Sequence, residues 1–174
     1  MEIESKYLVA SELPFDLNTL HKKEIEQAYI SRNPTIRVRK SNDRYILTVK
    51  FKTSLDSGEV LCNEEHETLI DEETYEHLKA KRDGNVISKT RYIVPLEPFK
   101  CGGEDISVFA ELDVFHGYLD GLRFAEVEFP SIEAANAFVP PEWMIENVSG
   151  DKRYKNGYLS VATDISDIAS RPEK

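Results

Sequence analysis

Polar and apolar positions alternate along most of this chain. Glu2-Ile3-Glu4-Ser5-Lys6-Tyr7-Leu8-Val9 sets charged residues between apolar or small ones, the period of a strand with one buried face. The same period returns over 25–31, 35–40, 45–52, 63–70, 87–93, 108–115 and 124–129. Turn-forming runs separate these segments, among them Asn33-Pro34, Ser41-Asn42-Asp43, Asp56-Ser57-Gly58 and Cys101-Gly102-Gly103. Antiparallel strands of this number and length predict a closed barrel or a sandwich, with mostly hairpin connections.

Helical signals are fewer. Asp71 is placed to cap a helix over 72–82, with Ile70 and Tyr75 as a hydrophobic staple and Gly84 beyond its end. Ser131 caps a second, whose Ile132, Ala135 and Phe138 share a face until Pro140-Pro141 stops it. A weaker helix is expected over 11–21 with Pro14 in its first turn, and a short one after Asp164. The class is α+β, dominated by antiparallel strands, with one domain over 1–163 and a C-terminal tail over 164–174.

The charges follow the strand period. Arg37 and Arg39, Lys50 and Lys52, and Lys89 and Arg91 are basic pairs two residues apart. Glu65 and Glu67, Glu111 and Asp113, and Glu126 and Glu128 are acidic ones, and Glu2, Glu4 and Lys6 open the chain in the same way. Residues at i and i+2 of a strand share a face. A sandwich would turn these charges to water. Same-sign pairs repel unless something binds them, and clustered carboxylates are the hard oxygen ligands that Mg²⁺ or Mn²⁺ prefers. Basic and acidic strands in similar number therefore favour a lumen with metal on one wall and polyphosphate on the other, and put the apolar phase (Ile36 and Val38, Leu112 and Val114, Ala125 and Val127) outside.

Composition narrows the class. With 174 residues and 40% hydrophobic content the chain can bury one real core. A net charge of −10, from 32 acidic and 22 basic residues, argues against loose binding to nucleic acid or anionic lipid. No run approaches the ~20 apolar residues of a membrane helix. Strand-like sequence starts at Glu2, so no signal peptide is expected. Cys62 and Cys101 are far apart and outside metal-type spacing, reading as reduced thiols of a cytoplasmic protein. Neither a G-x-S-x-G elbow nor a G-x-x-x-x-G-K loop is present. Monomer and homodimer both stay open.

Glu2-Ile3-Glu4-Ser5-Lys6 fits the ExExK signature of the triphosphate tunnel metalloenzymes, the CYTH superfamily. The resemblance runs on in order through Arg37-Val38-Arg39, Lys50/Lys52, Glu65-His66-Glu67, Lys89-Thr90-Arg91-Tyr92, Glu111-Leu112-Asp113 and Glu126-Val127-Glu128 to Asp151-Lys152-Arg153-Tyr154. The chain looks most like the short bacterial inorganic tripolyphosphatases. Ser5 stands where many relatives have Arg.

This resemblance implies an eight-stranded antiparallel β-barrel, the triphosphate tunnel, with a few flanking helices. It implies divalent-metal-dependent hydrolysis of inorganic tripolyphosphate, a small-molecule substrate, with Mg²⁺ or Mn²⁺. Lys6, Arg37, Arg39, Lys50, Lys52, Lys89, Arg91 and Lys152 would bind phosphate. Glu2, Glu4, Glu111, Glu126 and Glu128 would hold metal, with Glu65, Glu67 and Asp113 as further ligands or partners behind them. Lys6 and Tyr29 are the candidates for a chemical role, Tyr29 by orienting water or accepting a proton. Without metal the facing carboxylates should raise one another's pKa values. The alternatives are a class IV-type adenylyl cyclase, a thiamine or nucleoside triphosphatase on the same tunnel, or a non-catalytic polyphosphate-binding module.

Overall fold

A computed structural model describes residues 2–52 and 61–168 of the chain. The alternating segments form long strands: β1 (Glu2–Val9), β2 (His21–Arg32), β3 (Thr35–Ser41), β4 (Arg44–Lys52), β5 (Leu61–Ile70), β6 (Ile87–Pro95), and, after a short hairpin of β7 (Phe99–Cys101) and β8 (Glu104–Ile106), β9 (Phe109–Phe115) and β10 (Arg123–Glu128). A short β11 (Met144–Asn147) follows. The order in the main sheet is β10-β9-β6-β2-β3-β4-β5-β1-β11, antiparallel throughout. β1 uses both of its edges. One pairs with β10, Lys6 opposite Glu126; the other pairs with β5 over Glu2–Glu4 and with β11 from Tyr7 onward.

The helices are α1 (Glu72–Ala80), α2 (Ile132–Ala137) and α3 (Asn156–Leu159). Asp71 caps α1 by accepting from Thr74 N at 2.7 Å, and Ser131 caps α2 by accepting from Ala134 N at 3.1 Å. The helix expected over 11–21 is absent. That stretch holds one 3-10 turn, Leu17–Thr19, capped by Asp16, and His21 already belongs to β2. An irregular path of bends wins because it lets Leu13, Phe15, Leu17 and Leu20 all pack on the core cluster beneath. The tail begins with a 3-10 turn, Ile165–Asp167, and Ile168 is fully buried. The expected turn at Asp56-Ser57-Gly58 lies outside the described residues.

The apolar phase of the strands is covered in two places. Ile3, Tyr7, Val9, Leu112, Ala125 and Val127 pack against α2 and the Trp143–Met144 segment. Ala28 and Val38 pack beneath Tyr75 and Leu78 of α1, with Ile70 in the same cluster. A third cluster was not expected. Leu8, Ile87, Phe115 and Phe124 lie in the same phase as the charged pairs, and they pack with Tyr29, Tyr154, Leu159, Ala162 and Ile168. The charged face therefore has an apolar end, closed by the C-terminal segment.

That segment is held by backbone contacts. Arg32 Nε donates to Gly157 O at 3.1 Å, Asn85 N to Ser160 O at 2.6 Å and Tyr118 Oη to Leu159 O at 2.9 Å. Gly84 has φ +95°, and a Cβ there would lie 2.4 Å from Ser160 O. Both the left-handed turn and the close approach require glycine.

Candidate active site

The charged phase lines a single cavity of about 570 Å³. Every long strand contributes to it: Glu4 and Lys6 from β1, Tyr29 from β2, Arg37 and Arg39 from β3, and Lys50 from β4. Glu65 and Glu67 enter from β5, Lys89 and Arg91 from β6, Glu111 from β9, and Glu126 and Glu128 from β10. Lys152 stands at its rim, exposed. The side chains of Glu2 and Lys52 lie outside the described part. Asp113 does not reach the cavity surface and is fully buried behind it.

The two signs are interleaved more closely than one wall against another. On the β3–β5 side, Lys50 Nζ lies 2.8 Å from Glu65 Oε2, and Arg39 Nη2 donates to Glu67 Oε1 at 2.9 Å. Arg37 Nη2 lies 3.8 Å from Glu65 and 3.7 Å from Glu67. Thr48, fully buried, donates to Glu67 Oε1 at 3.0 Å. Glu65 and Glu67 thus act as counter-ions within the basic side. The cations still outnumber them there, so a net positive surface is left for an anion.

On the β6–β10 side Arg91 is the hub. Its Nε and Nη2 make a two-pronged contact with Asp113 at 2.7 and 2.8 Å, Nη2 also reaches Glu126 at 2.7 Å, and Nη1 pairs with Glu111. Such a fork suits guanidinium and not ammonium. Lys89 pairs with Asp113, its Nζ 5.3 Å from the Phe115 ring centre. Lys6 Nζ lies 2.9 Å from Glu126, donates to Tyr154 O at 2.8 Å, and sits 4.4 Å from the Phe124 ring centre.

The carboxylates divide. Burial raises the Glu4 carboxyl and the neighbouring Glu126 charge adds to it, outweighing Lys50, Lys6 and Arg91. Glu128 is also raised, by burial first and then by Glu111, Glu4 and Glu126. Glu126 goes the other way: burial acts to raise it, but Lys6, Arg91 and Lys89 hold it well below the ordinary range. Mutual raising therefore applies to Glu4 and Glu128, whereas Glu126 has cations enough. Burial pushes Lys89 down to about 8 in spite of Asp113, because Asp113 is shared with Arg91, whose charge repels the ammonium.

Among the described residues no three His, Cys, Asp or Glu side chains are gathered so as to hold a metal ion as they stand. Arg91 is seated among the acidic residues instead. The donor chemistry does fit a hard divalent cation. Glu4 faces Glu128 across β1 and β10, Glu126 faces Glu111 across β10 and β9, and Glu4 and Glu128 carry the charge that protein cations leave uncompensated.

Sequence reasoning missed several cavity residues. Gln27 shares the phase of Tyr29 but carries no charge, so a search for ionisable pairs passes over it. Arg32 reaches the cavity because the β2–β3 register shifts between Tyr29 and Ser31, which breaks the period. Lys155 and Tyr158 arrive from around α3, and nothing local marks them.

The chain matches no family model. It is 38% identical over 165 residues to an inorganic triphosphatase of Nitrosomonas europaea, covering 92% of this chain and 97% of that protein. It is 34% identical over 164 residues to an inorganic triphosphatase of Acetivibrio thermocellus, covering 91% and 92%. Among solved structures, a crystal structure of an inorganic triphosphatase superposes with a TM-score of 0.64 at 34% identity, covering 94% of this chain and 97% of that one. No described helix is long and apolar enough to cross a membrane.

Proposed function

The chain belongs to the inorganic triphosphatases of the triphosphate tunnel superfamily, and from that premise we propose that it hydrolyses inorganic tripolyphosphate to pyrophosphate and phosphate inside its charged cavity. The observation that carries this reading is the cavity itself, lined by ionisable side chains from every long strand. The sheet is read as the eight-stranded tunnel, supported by β1 meeting β10 on one edge and β5 on the other.

Phosphoanhydride hydrolysis needs charge neutralisation and in-line placement of water more than covalent catalysis. Arg37, Arg39 and Lys50 lie where phosphate oxygens can replace part of their pairing with Glu65 and Glu67. Lys52, from the same strand as Lys50, and Lys152 at the rim would extend that surface. Lys6, Lys89 and Arg91 hold the far end, with Asp113 fixing the orientation of Arg91. Glu4, Glu111, Glu126 and Glu128, with Glu2, would hold a divalent ion, Mg²⁺ or Mn²⁺, while Asp113, Glu65 and Glu67 act behind them as counter-ions. When bound, that ion would neutralise phosphate charge and lower the pKa of a coordinated water. Tyr29 lies directly across from Arg37 and is 3% exposed, a place from which its hydroxyl can orient the attacking water.

The test is a phosphate-release panel over tripolyphosphate, pyrophosphate, ATP and thiamine triphosphate with Mg²⁺ or Mn²⁺. Tripolyphosphate should be turned over fastest and pyrophosphate poorly, since a two-phosphate chain leaves part of the basic surface unpaired. Equal rates on pyrophosphate would overturn the substrate assignment.

A pH prediction follows from Lys89. Its ordinary value is 10.5 and its folded one about 8, so between the two the unfolded chain binds the extra proton. Its contribution to stability therefore improves as pH rises through that window, because a costly buried charge is shed. Phosphate binding changes in the opposite sense. We expect kcat/KM to fall above pH about 8, and Lys89→Arg, which keeps its charge, to move that limb upward. A limb unmoved in a folded, active Lys89→Arg enzyme would assign it to another group.

A further inference from the structure

Gln27 sits in the middle of β2, is 1% exposed, and lines the cavity, yet among the described residues its Nε2 has no hydrogen-bond partner. Buried amide donors are nearly always satisfied, and one that is not calls for an explanation. Its surroundings supply a direction. The residue directly across β3 is Arg39, and the next cavity-facing residue of β3 is Arg37. The Nε of each guanidinium is also buried without a partner among the described residues, although Arg39 Nη2 is held by Glu67. On the other edge, Gln27 faces the apolar Ile87. Three buried N–H donors, on cavity-lining residues of adjacent strands, thus lack an acceptor among the described residues, while Glu65 and Glu67 are engaged with the outer ends of the arginines.

We propose that Gln27 is a substrate-contact residue, donating its Nε2–H to an oxygen of the phosphoryl group that Arg37 and Arg39 bind. This rests on the triphosphate reading of the cavity and adds to it a neutral, directional donor. An amide suits the position because a third cation beside two arginines would be repelled in the empty site. It can also be desolvated without burying a charge. Because it neither carries charge nor transfers a proton, its contact should form with substrate and transition state alike and show in KM.

The test is Gln27→Met, which keeps the size and removes the donor, studied by steady-state kinetics on tripolyphosphate with Mg²⁺ and by thermal denaturation of the ligand-free protein. We expect KM to rise about ten- to a hundredfold with kcat within about twofold, as for loss of one hydrogen bond to a charged group. The ligand-free midpoint should stay level or rise, because an unsatisfied buried donor has been replaced by an apolar group. A packing role would give the reverse pattern, a lower midpoint with KM unchanged, and would overturn the contact. Gln27→Glu provides a second arm: its carboxylate can pair with Arg39 in the folded protein but repels phosphate, so KM should rise more than in Gln27→Met. A KM for Gln27→Glu equal to wild type would likewise overturn it. A wild-type protein that leaves tripolyphosphate intact would bring down the reading of the cavity, and this contact with it. Wild-type turnover with an unchanged KM in Gln27→Met would bring down the contact alone.

Discussion

Replacing Arg91 by Met is expected to be the most damaging single change in the cavity, in stability and in activity together. Arg91 is 8% exposed and touches three carboxylates, those of Glu111, Asp113 and Glu126. Methionine fills much of the volume but leaves these acids with Lys6 and Lys89 alone, and Asp113 is fully buried. Breaking a buried ion pair from one side costs about 3–5 kcal/mol, because the remaining charge stays desolvated and unpaired. The midpoint in urea should fall accordingly with little change in slope. Phosphate release should fall below detection, since a phosphate contact and the set of Glu111 are lost at once. Arg91→Lys should recover only part of the stability, because an ammonium cannot make the two-pronged contact with Asp113 while reaching Glu111 and Glu126. An unfolding free energy for Arg91→Met within about 0.5 kcal/mol of wild type, the range of an ordinary surface substitution, would show that the hub is dispensable.

Glu4→Gln should separate activity from stability. The Glu4 carboxyl is raised by burial and by Glu126, so its charge is unfavourable in the metal-free protein. The neutral amide removes that repulsion, and the thermal midpoint without metal should stay level or rise. Turnover should fall about a hundredfold or more, because an amide is a poor ligand for a hard divalent ion and the charge it would neutralise is gone. Treatment of the wild type with excess chelator should likewise abolish phosphate release, with Mg²⁺ or Mn²⁺ restoring it. Metal should raise the midpoint of wild type more than that of Glu4→Gln, since ligand binding to the native state adds stability. Full activity in excess chelator, or a Glu4→Gln enzyme as fast as wild type, would exclude the carboxylates of β1 and β10 from the chemistry.

The sequence carried the face of each strand. Alternation is local, so Arg37 with Arg39, Lys89 with Arg91, and Glu126 with Glu128 could be placed on one surface and Val38, Leu112 and Val127 on the other before any contact was known. Helix ends were legible for the same reason, since Asp71 and Ser131 cap backbone amides three residues away. Short elements were not. β11 and α3 span four residues each, too few for a period to show, and the stretch around Phe15 follows packing instead of helix propensity.

What the tertiary structure alone decided is how the charges are shared. Cross-strand register makes Lys50 the partner of Glu65 and lets Arg91 bridge three acids, so Glu65 and Glu67 sit among cations while Glu4 and Glu128 repel each other. Register also placed the neutral Gln27 against Arg39, and the shift between Tyr29 and Ser31 turned Arg32 to the cavity and to Gly157. Local sequence sets which way a side chain points, because the backbone repeat does. Which charge it meets depends on strands far away in the chain, and in a buried cavity that neighbour, more than the residue's own type, determines whether its charge is held, raised or left to be neutralised by a ligand.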